Sequence, residues 1–278
     1  MREFLLDSEV RAYRAGDVIF ERNSIGSSLF GIAAGSVLVQ VDPRNARSTV
    51  AIPTGSIFGE VGLISGRRRG APIRAGDATI IIEIQRTAAL KLMASSIAAR
   101  EVINRITTER QLLQIFKSGL TADDVREVLS TAELMDVRAG QAIMTEGDLS
   151  QDVFIVRSGS MVVEKTVGGK QVFLSYLPAG SYVGEMAMID HAPRNATVSA
   201  AVKSQVVKLE GETFRRLLAR KPQLLATLEA EADTRRKVNS FIEKQKSKFN
   251  GAVDMYSAVA DFLVEQGIGE ATDVLLID

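Results

Sequence analysis

Residues 182–200 read YVGEMAMIDHAPRNATVSA, so Glu185, preceded by Gly184, stands nine positions ahead of Arg194, and Asn195-Ala196-Thr197 follows. Nine is not the three or four of a helical ion pair, so a loop must bring the acid and the base together if they meet. A buried or half-buried arginine without an anion is costly. Two arrangements meet that need. Either Glu185 and Arg194 pair and tie the loop to itself, or a ligand supplies an anionic group for Arg194 and a hydroxyl donor for Glu185. A phosphate attached to a ribose has both. The run Glu185–Ile189 reads as a turn or two of helix whose first amides would face an anion. Gly184 lacks the Cβ that would hold the backbone away from such a ligand.

The elements around this loop occur twice. YRAGDVIF at 13–20 returns as VRAGQAIM at 137–144, and LFGIAAGSVLV at 29–39 as VFIVRSGSMVV at 153–163, both displaced by 124 (14 to 138; 35 to 159). IPTGSIFGEVGLI at 52–64 returns as LPAGSYVGEMAMI at 177–189, displaced by 125 (60 to 185), which places a one-residue length change in the intervening hairpin. In the second copy that turn contains Gly168-Gly169, suited to positive φ. Such self-similarity marks a duplication. Each copy is a series of short alternating segments (SVLVQV, SMVVEKT, QVFLSYL, ATIIIEI, SQVVKLE) separated by Gly, Asn and Asp turns, the pattern of a sandwich or small barrel. Each ends in a helical tract. The first spans 86–120, with Leu92, Ile97, Val102, Ile106 and Leu113 at roughly helical spacing; the last runs from Pro222 to about 249. Thr121 and Asp124 form a capping-box pattern that opens a helix before the second copy; no such preamble precedes the first.

Composition narrows the chemistry. The 278 residues carry 34 basic and 34 acidic side chains, no cysteine and one histidine. Zero net charge argues against nucleic acid as a partner. The lack of cysteine excludes disulfides and thiolate metal sites, and suits a reducing cytoplasm. A lone histidine, His191, expected to be an exposed loop residue, cannot build a metal-dependent oxygenase or isomerase site. The expectation is a soluble cytoplasmic binding protein, not an enzyme, with no cofactor, metal or membrane contact.

The segment GEMAMIDHAPRNATV resembles the phosphate-binding cassette of the cyclic-nucleotide-binding domain family, whose pattern is Gly-Glu, a few small or apolar residues, then Arg-x-Ala-Ser/Thr. The frame of glycines and strands and the terminal helices are also similar to that family, over about residues 1–245. The resemblance implies a mainly β fold with helices: two tandem double-stranded β-helix or jelly-roll barrels, at 1–118 and 119–249, followed by a C-terminal extension or linker at 250–278. It further implies a ligand, cAMP or cGMP, bound by Gly184, Glu185, Met186, Arg194, Asn195, Ala196 and Thr197. Glu185 would take the ribose 2′-hydroxyl and Arg194 the cyclic phosphate. Asn195 stands where the family often has Ala or Thr, which leaves adenine against guanine open.

The first copy, FGEVGLISGRRRGAP, keeps Gly59, Glu60, Arg69 and Ala71 as a candidate second site. Pro72 there replaces the hydroxyl residue and has no N–H, so weak binding, another anion and no ligand all stay open. Val238, Phe241 and Ile242 on the last helix are candidates for capping the base. The functional expectation is a regulatory sensor that passes a conformational change to an unknown effector domain or protein, with homodimerisation a further candidate. A non-binding scaffold of the same fold is the alternative. The sensor part of a transcription regulator lacking its DNA-binding domain ranks below that, since residues 250–278 are too short and too acidic for a winged helix.

Overall fold

The computed structural model describes residues 8–42, 45, 47–116, 119–167, 169–245 and 262, excepting the side chains of Val167, Ile242, Glu243 and Gln245. The chain divides into two compact units, Met1–Gln111 and Leu112–Asp278. Unit one contains β1 (Ser8–Tyr13), β2 (Val18–Phe20), β3 (Leu29–Ala34), β4 (Ser36–Gln40), β5 (Thr49–Pro53), β6 (Ile57–Phe58), α1 (Glu60–Ser65), β7 (Ile73–Ala75) and β8 (Thr79–Ile84). Helices α2 (Arg86–Ser95) and α3 (Ile97–Ile115) follow. Unit two begins at Leu112, near the end of α3, and continues with α4 (Ala122–Leu129), then β9 (Glu133–Val137), β10 (Ala142–Met144), β11 (Val153–Ser158), β12 (Ser160–Val167), β13 (Lys170–Pro178) and β14 (Tyr182–Val183). It continues with α5 (Glu185–Asp190), β15 (Thr197–Ala200), β16 (Ser204–Leu209), α6 (Gly211–Ala219) and α7 (Pro222–Gln245).

Each unit has two four-stranded sheets: β1-β8-β3-β6 and β2-β7-β4-β5 in the first, β14-β11-β16-β9 and β10-β15-β12-β13 in the second. The expected jelly roll is therefore present as an open sandwich of antiparallel sheets, without closure into a barrel. In unit two Phe154, Val156, Val183 and Val206 from one sheet meet Met144, Met161, Val163 and Val198 from the other, with Ala196, just before β15, in the same cluster. Strand β11, VFIVRS, is buried on both faces: Phe154 and Val156 point to that interior, while Val153 and Ile155 pack under α4, α6 and α7 with Val125, Phe214, Leu217 and Leu228. Burial on both faces is why it reads as an unbroken apolar run. Strand β14 alternates in the same way, Tyr182 toward the helices and Val183 toward the interior. That alternation delivers Gly184 and Glu185 to the edge between the two layers.

The duplication is visible in backbone conformation. Gly16, Asn23, Gly35, Gly55, Gly59 and Gly66 have positive φ, and so do Gly140, Gly147, Gly159, Gly180, Gly184 and His191 at the displaced positions. His191, exposed, is thus the left-handed C-cap of α5, where the first copy uses Gly66 to end α1. The β12–β13 hairpin closes with Val167 opposite Lys170 and Gly169 at φ 77, while Gly168 lies outside the described residues. Thr121 and Asp124 form the full capping box at the start of α4, and Pro222 stands at the first position of α7, where its missing N–H removes no bond.

One expectation is corrected. The tract at 86–120 is not continuous: Ser96 is extended (φ −127, ψ 112), its amide closes α2 on the Leu92 carbonyl, and its hydroxyl accepts the Ala99 amide at 3.2 Å to open α3. The break resets the helical phase. Ile97 and Val102 consequently face solvent at 66% and 44% exposure, and Ile103, Thr107 and Gln111 are buried instead. Among the described residues no helix is long and apolar enough to cross a membrane.

Candidate functional site

Glu185 and Arg194 do not pair. Glu185 is 1% exposed and accepts from Arg235 Nη1 at 2.7 Å through Oε1. Arg194, 2% exposed, donates to main-chain carbonyls, from Nη1 to Gly184 O at 3.0 Å and from Nη2 to Asp152 O at 2.6 Å, and from Nε to Ser150 Oγ at 3.2 Å. Its own backbone is fixed across the loop, with Arg194 N donating to Asp148 O and Gly147 N to Arg194 O, both at 2.8 Å. The ring of Phe154 lies 5.9 Å from Cζ.

Every guanidinium nitrogen of Arg194 is bonded, but one oxygen of Glu185 is not. Arginine has five N–H donors, and the three bonds of Arg194 use three of them. Burial pushes its guanidinium below the ordinary value, opposed by Asp152, Asp148 and Glu185. On the carboxylate, Oε2 of Glu185 is buried without a donor among the described residues. An ionised oxygen left in that state costs about 1–3 kcal/mol or more.

Gly184 has a second reason to be glycine. Its φ is 100, and a Cβ there would lie 2.6 Å from Asp152 O and 2.7 Å from Arg194 Nη1. The Cβ side of this backbone is thus occupied by the Asp152 carbonyl and the Arg194 guanidinium.

The remaining cassette residues serve the frame. Asn195 Nδ2 donates to Met186 Sδ at 3.4 Å, Ala196 is buried in the interior cluster, and Thr197 Oγ1 accepts the Glu146 amide at 3.0 Å. Val238 and Phe241 on α7 pack against the cluster that contains Ala196 and Val183. Phe262 stacks on Phe241 with ring centroids 4.5 Å apart. The side chain of Ile242 lies outside the described residues.

Arg235, which the reading of the loop missed, is central. Besides Glu185 it bonds the Tyr182 carbonyl at 3.2 Å and stands 4.7 Å from the Tyr182 ring. Burial works against its charge, but Glu185, Tyr182 and Glu231 outweigh that and raise it above the ordinary arginine value. Two further contacts tie α7 to the cassette: the Tyr182 hydroxyl donates to Glu231, and Arg236 Nη2 reaches both Asp190 oxygens at 2.7 Å. Arg235 was findable from the duplication, since Arg110 stands 125 residues earlier, the displacement that relates Glu60 to Glu185. Arg110 Nη1 bonds Glu60 Oε2 at 2.8 Å and the Ile57 carbonyl at 2.9 Å, matching Arg235 on Glu185 and Tyr182. Arg69 likewise donates to Gly59 O at 2.9 Å and Ser28 O at 3.0 Å. Ala71 is half-buried beside Pro72, whose carbonyl accepts the Gln40 amide.

A shallow depression lined by Ala226, Thr227, Ala230, Glu231 and Thr234 runs along α7. It includes neither Glu185 nor Arg194, so the charged groups rather than this hollow define the site.

The sequence profile described as "Cyclic nucleotide-binding domain" matches residues 10–96 and 134–221, well over half of the chain. A cAMP-dependent protein kinase regulatory subunit of Mucor circinelloides f. lusitanicus is 27% identical over 212 residues, 76% of this chain and 48% of the relative. A cGMP-dependent protein kinase of Toxoplasma gondii is 26% identical over 262 residues, 91% of this chain and 25% of the relative. The chain thus spans about half the length of the first and a quarter of the second. Among solved structures, the regulatory domain of Toxoplasma gondii PKA with cAMP is similar at 24% identity and a TM-score of 0.43, covering 83% of this chain and 88% of that one.

Proposed function

The chain belongs to the cyclic nucleotide-binding domain family, and from that premise we propose that unit two binds a cyclic nucleotide, cAMP or cGMP, and acts as a regulatory input to a partner. The observation that carries this reading is the buried Glu185 Oε2, which has no donor among the described residues, in one cassette with a buried arginine that has N–H donors beyond the three it uses. A ribose hydroxyl satisfies the first and a cyclic phosphate the second. Both bonds are charge-assisted and correspondingly strong. Val238 and Phe241 offer an apolar surface to the base.

Glu185 has two oxygens and two duties. Oε1 holds α7 through Arg235, and Oε2 is free for the ligand. A bound hydroxyl and the helix therefore share one carboxylate, and each favours the orientation that the other needs. Coupling of this kind is reciprocal and typically amounts to about 1–3 kcal/mol. The relatives named as kinase regulatory subunits support a protein kinase catalytic chain as the partner and binding, rather than catalysis, as the role of these residues.

The test is calorimetric titration of cyclic AMP and cyclic GMP into the chain and its Arg194→Ala and Arg194→Lys variants, with thermal melts to confirm folding. Loss of the desolvated charged contact should weaken binding by about 2–5 kcal/mol in the alanine variant, with only partial retention by lysine, which lacks the planar fork. Folded variants that bind like the parent would remove Arg194 from the site. No binding by the parent would leave a scaffold.

A further inference from the structure

The duplication supplies an internal control for the site. We infer that the chain carries one nucleotide site, in unit two, and that unit one is a ligand-independent copy whose arginine is already enclosed by aromatic rings and glycine backbone. This rests on the ligand reading of unit two. The latch is common to both copies, Glu60 with Arg110 and Glu185 with Arg235. What differs is the surroundings of the arginine.

The Cζ of Arg69 stands 4.5 Å from the centre of the Phe20 ring and 5.3 Å from that of Phe30. Phe58 completes a trio, with centroids 4.9 Å from Phe30 and 6.0 Å from Phe20. In unit two Met144 and Val183 stand at the positions of Phe20 and Phe58, and only the equivalent of Phe30, Phe154, is kept, at 5.9 Å. Aromatic faces serve a desolvated cation in place of an anion, so Arg69 can stay 4% exposed with no ligand.

The backbone closes the rest. Gly26 and Gly62 stand where unit two has Ser150 and Ala187. A Cβ at Gly26 would lie 3.2 Å from Arg69 Nε and Nη2, and one at Gly62 would lie 3.2 Å from Nη1 and from the Gly26 carbonyl. The two loops therefore meet across the guanidinium. Pro72, in place of Thr197, offers neither amide nor hydroxyl. Among the described residues Glu60 has no buried oxygen without a partner, unlike Glu185.

Titration of the full chain with cyclic AMP and cyclic GMP should give one ligand per chain, with affinity unchanged in Phe20→Met. Two ligands per chain would overturn the inference while leaving the site in unit two intact. No ligand at all would instead remove the reading of unit two, and a second arm then decides the state of unit one. Alanine is intrinsically better than glycine inside a helix, so Gly62→Ala should stabilise α1 if there is room around Arg69. The closed packing requires the opposite, a fall in melting temperature, because Arg69 Nη1 and the Gly26 carbonyl, each 3.2 Å from the new Cβ, have no room to withdraw. An unchanged or raised melting temperature overturns the enclosure of Arg69.

Discussion

The orphan oxygen of Glu185 makes a prediction that tests the ligand reading from the ligand side. A 2′-deoxy cyclic nucleotide has the phosphate and base but not the hydroxyl that Oε2 would accept. A hydrogen bond to a charged group contributes roughly 1.5–3 kcal/mol, so the deoxy compound should bind about 10- to 150-fold more weakly at 1.4 kcal/mol per tenfold. Glu185→Gln replaces the carboxylate with an amide of the same shape. A neutral hydrogen bond contributes roughly 0.5–1.5 kcal/mol, so discrimination between ribose and deoxyribose should fall to between about 2- and 12-fold. The four affinities form a cycle with an interaction energy of about 1–1.5 kcal/mol, as expected for groups in contact. In the variant the amide oxygen can still accept from Arg235, but the charge that offsets the burial of that guanidinium is lost, so a melting curve that shows a folded variant is a condition for reading its affinities. The assay is competition calorimetry at fixed salt, with thermal melts alongside. Equal binding of the two nucleotides by the parent, or the same discrimination in parent and variant, would refute the argument.

Other expectations concern the frame. Gly184→Ala combines a left-handed backbone, φ 100, with a Cβ 2.6 Å from a carbonyl oxygen; the cost should be at least about 2 kcal/mol, and an unchanged urea midpoint would contradict the close packing. Hydrogen bonds from Lys221, then from Thr121, hold the Asp124 carboxyl at about 2, below its ordinary 3.8. Because the unfolded chain protonates first, the stabilisation is complete above about pH 4 and is lost as pH falls through about 2. Asp124→Asn should therefore flatten that part of the acid limb in denaturation curves, and superimposable limbs would show that the capping box does not couple to pH.

Legibility in the sequence followed the range of the interactions. The strands were readable because alternation reports which face of a sheet is buried, as in TIIIEI, where Ile81 is interior and Ile80 is 41% exposed. The capping box at Thr121 and the end of the hairpin at Gly169 were readable because each is settled within a few residues. The tract at 86–120 misled because Ser96, an ordinary polar residue in composition, stops one helix and caps the next. No periodicity beyond that point keeps the phase set before it.

The chain alone determined that there are two copies of one β unit, that Gly184, Glu185 and Arg194 recur as Gly59, Glu60 and Arg69, and that a loop must bear both charges. These are local or repeating features, and a repeat carries its own alignment. Only the tertiary structure decided whom each charge meets: Glu185 takes an arginine 50 residues away on α7, and Arg194 takes carbonyls from before β11 and at Gly184. Such partners depend on which segments the packed sheets bring side by side, and charge satisfaction in a low-dielectric interior is set by distance in space, not along the chain.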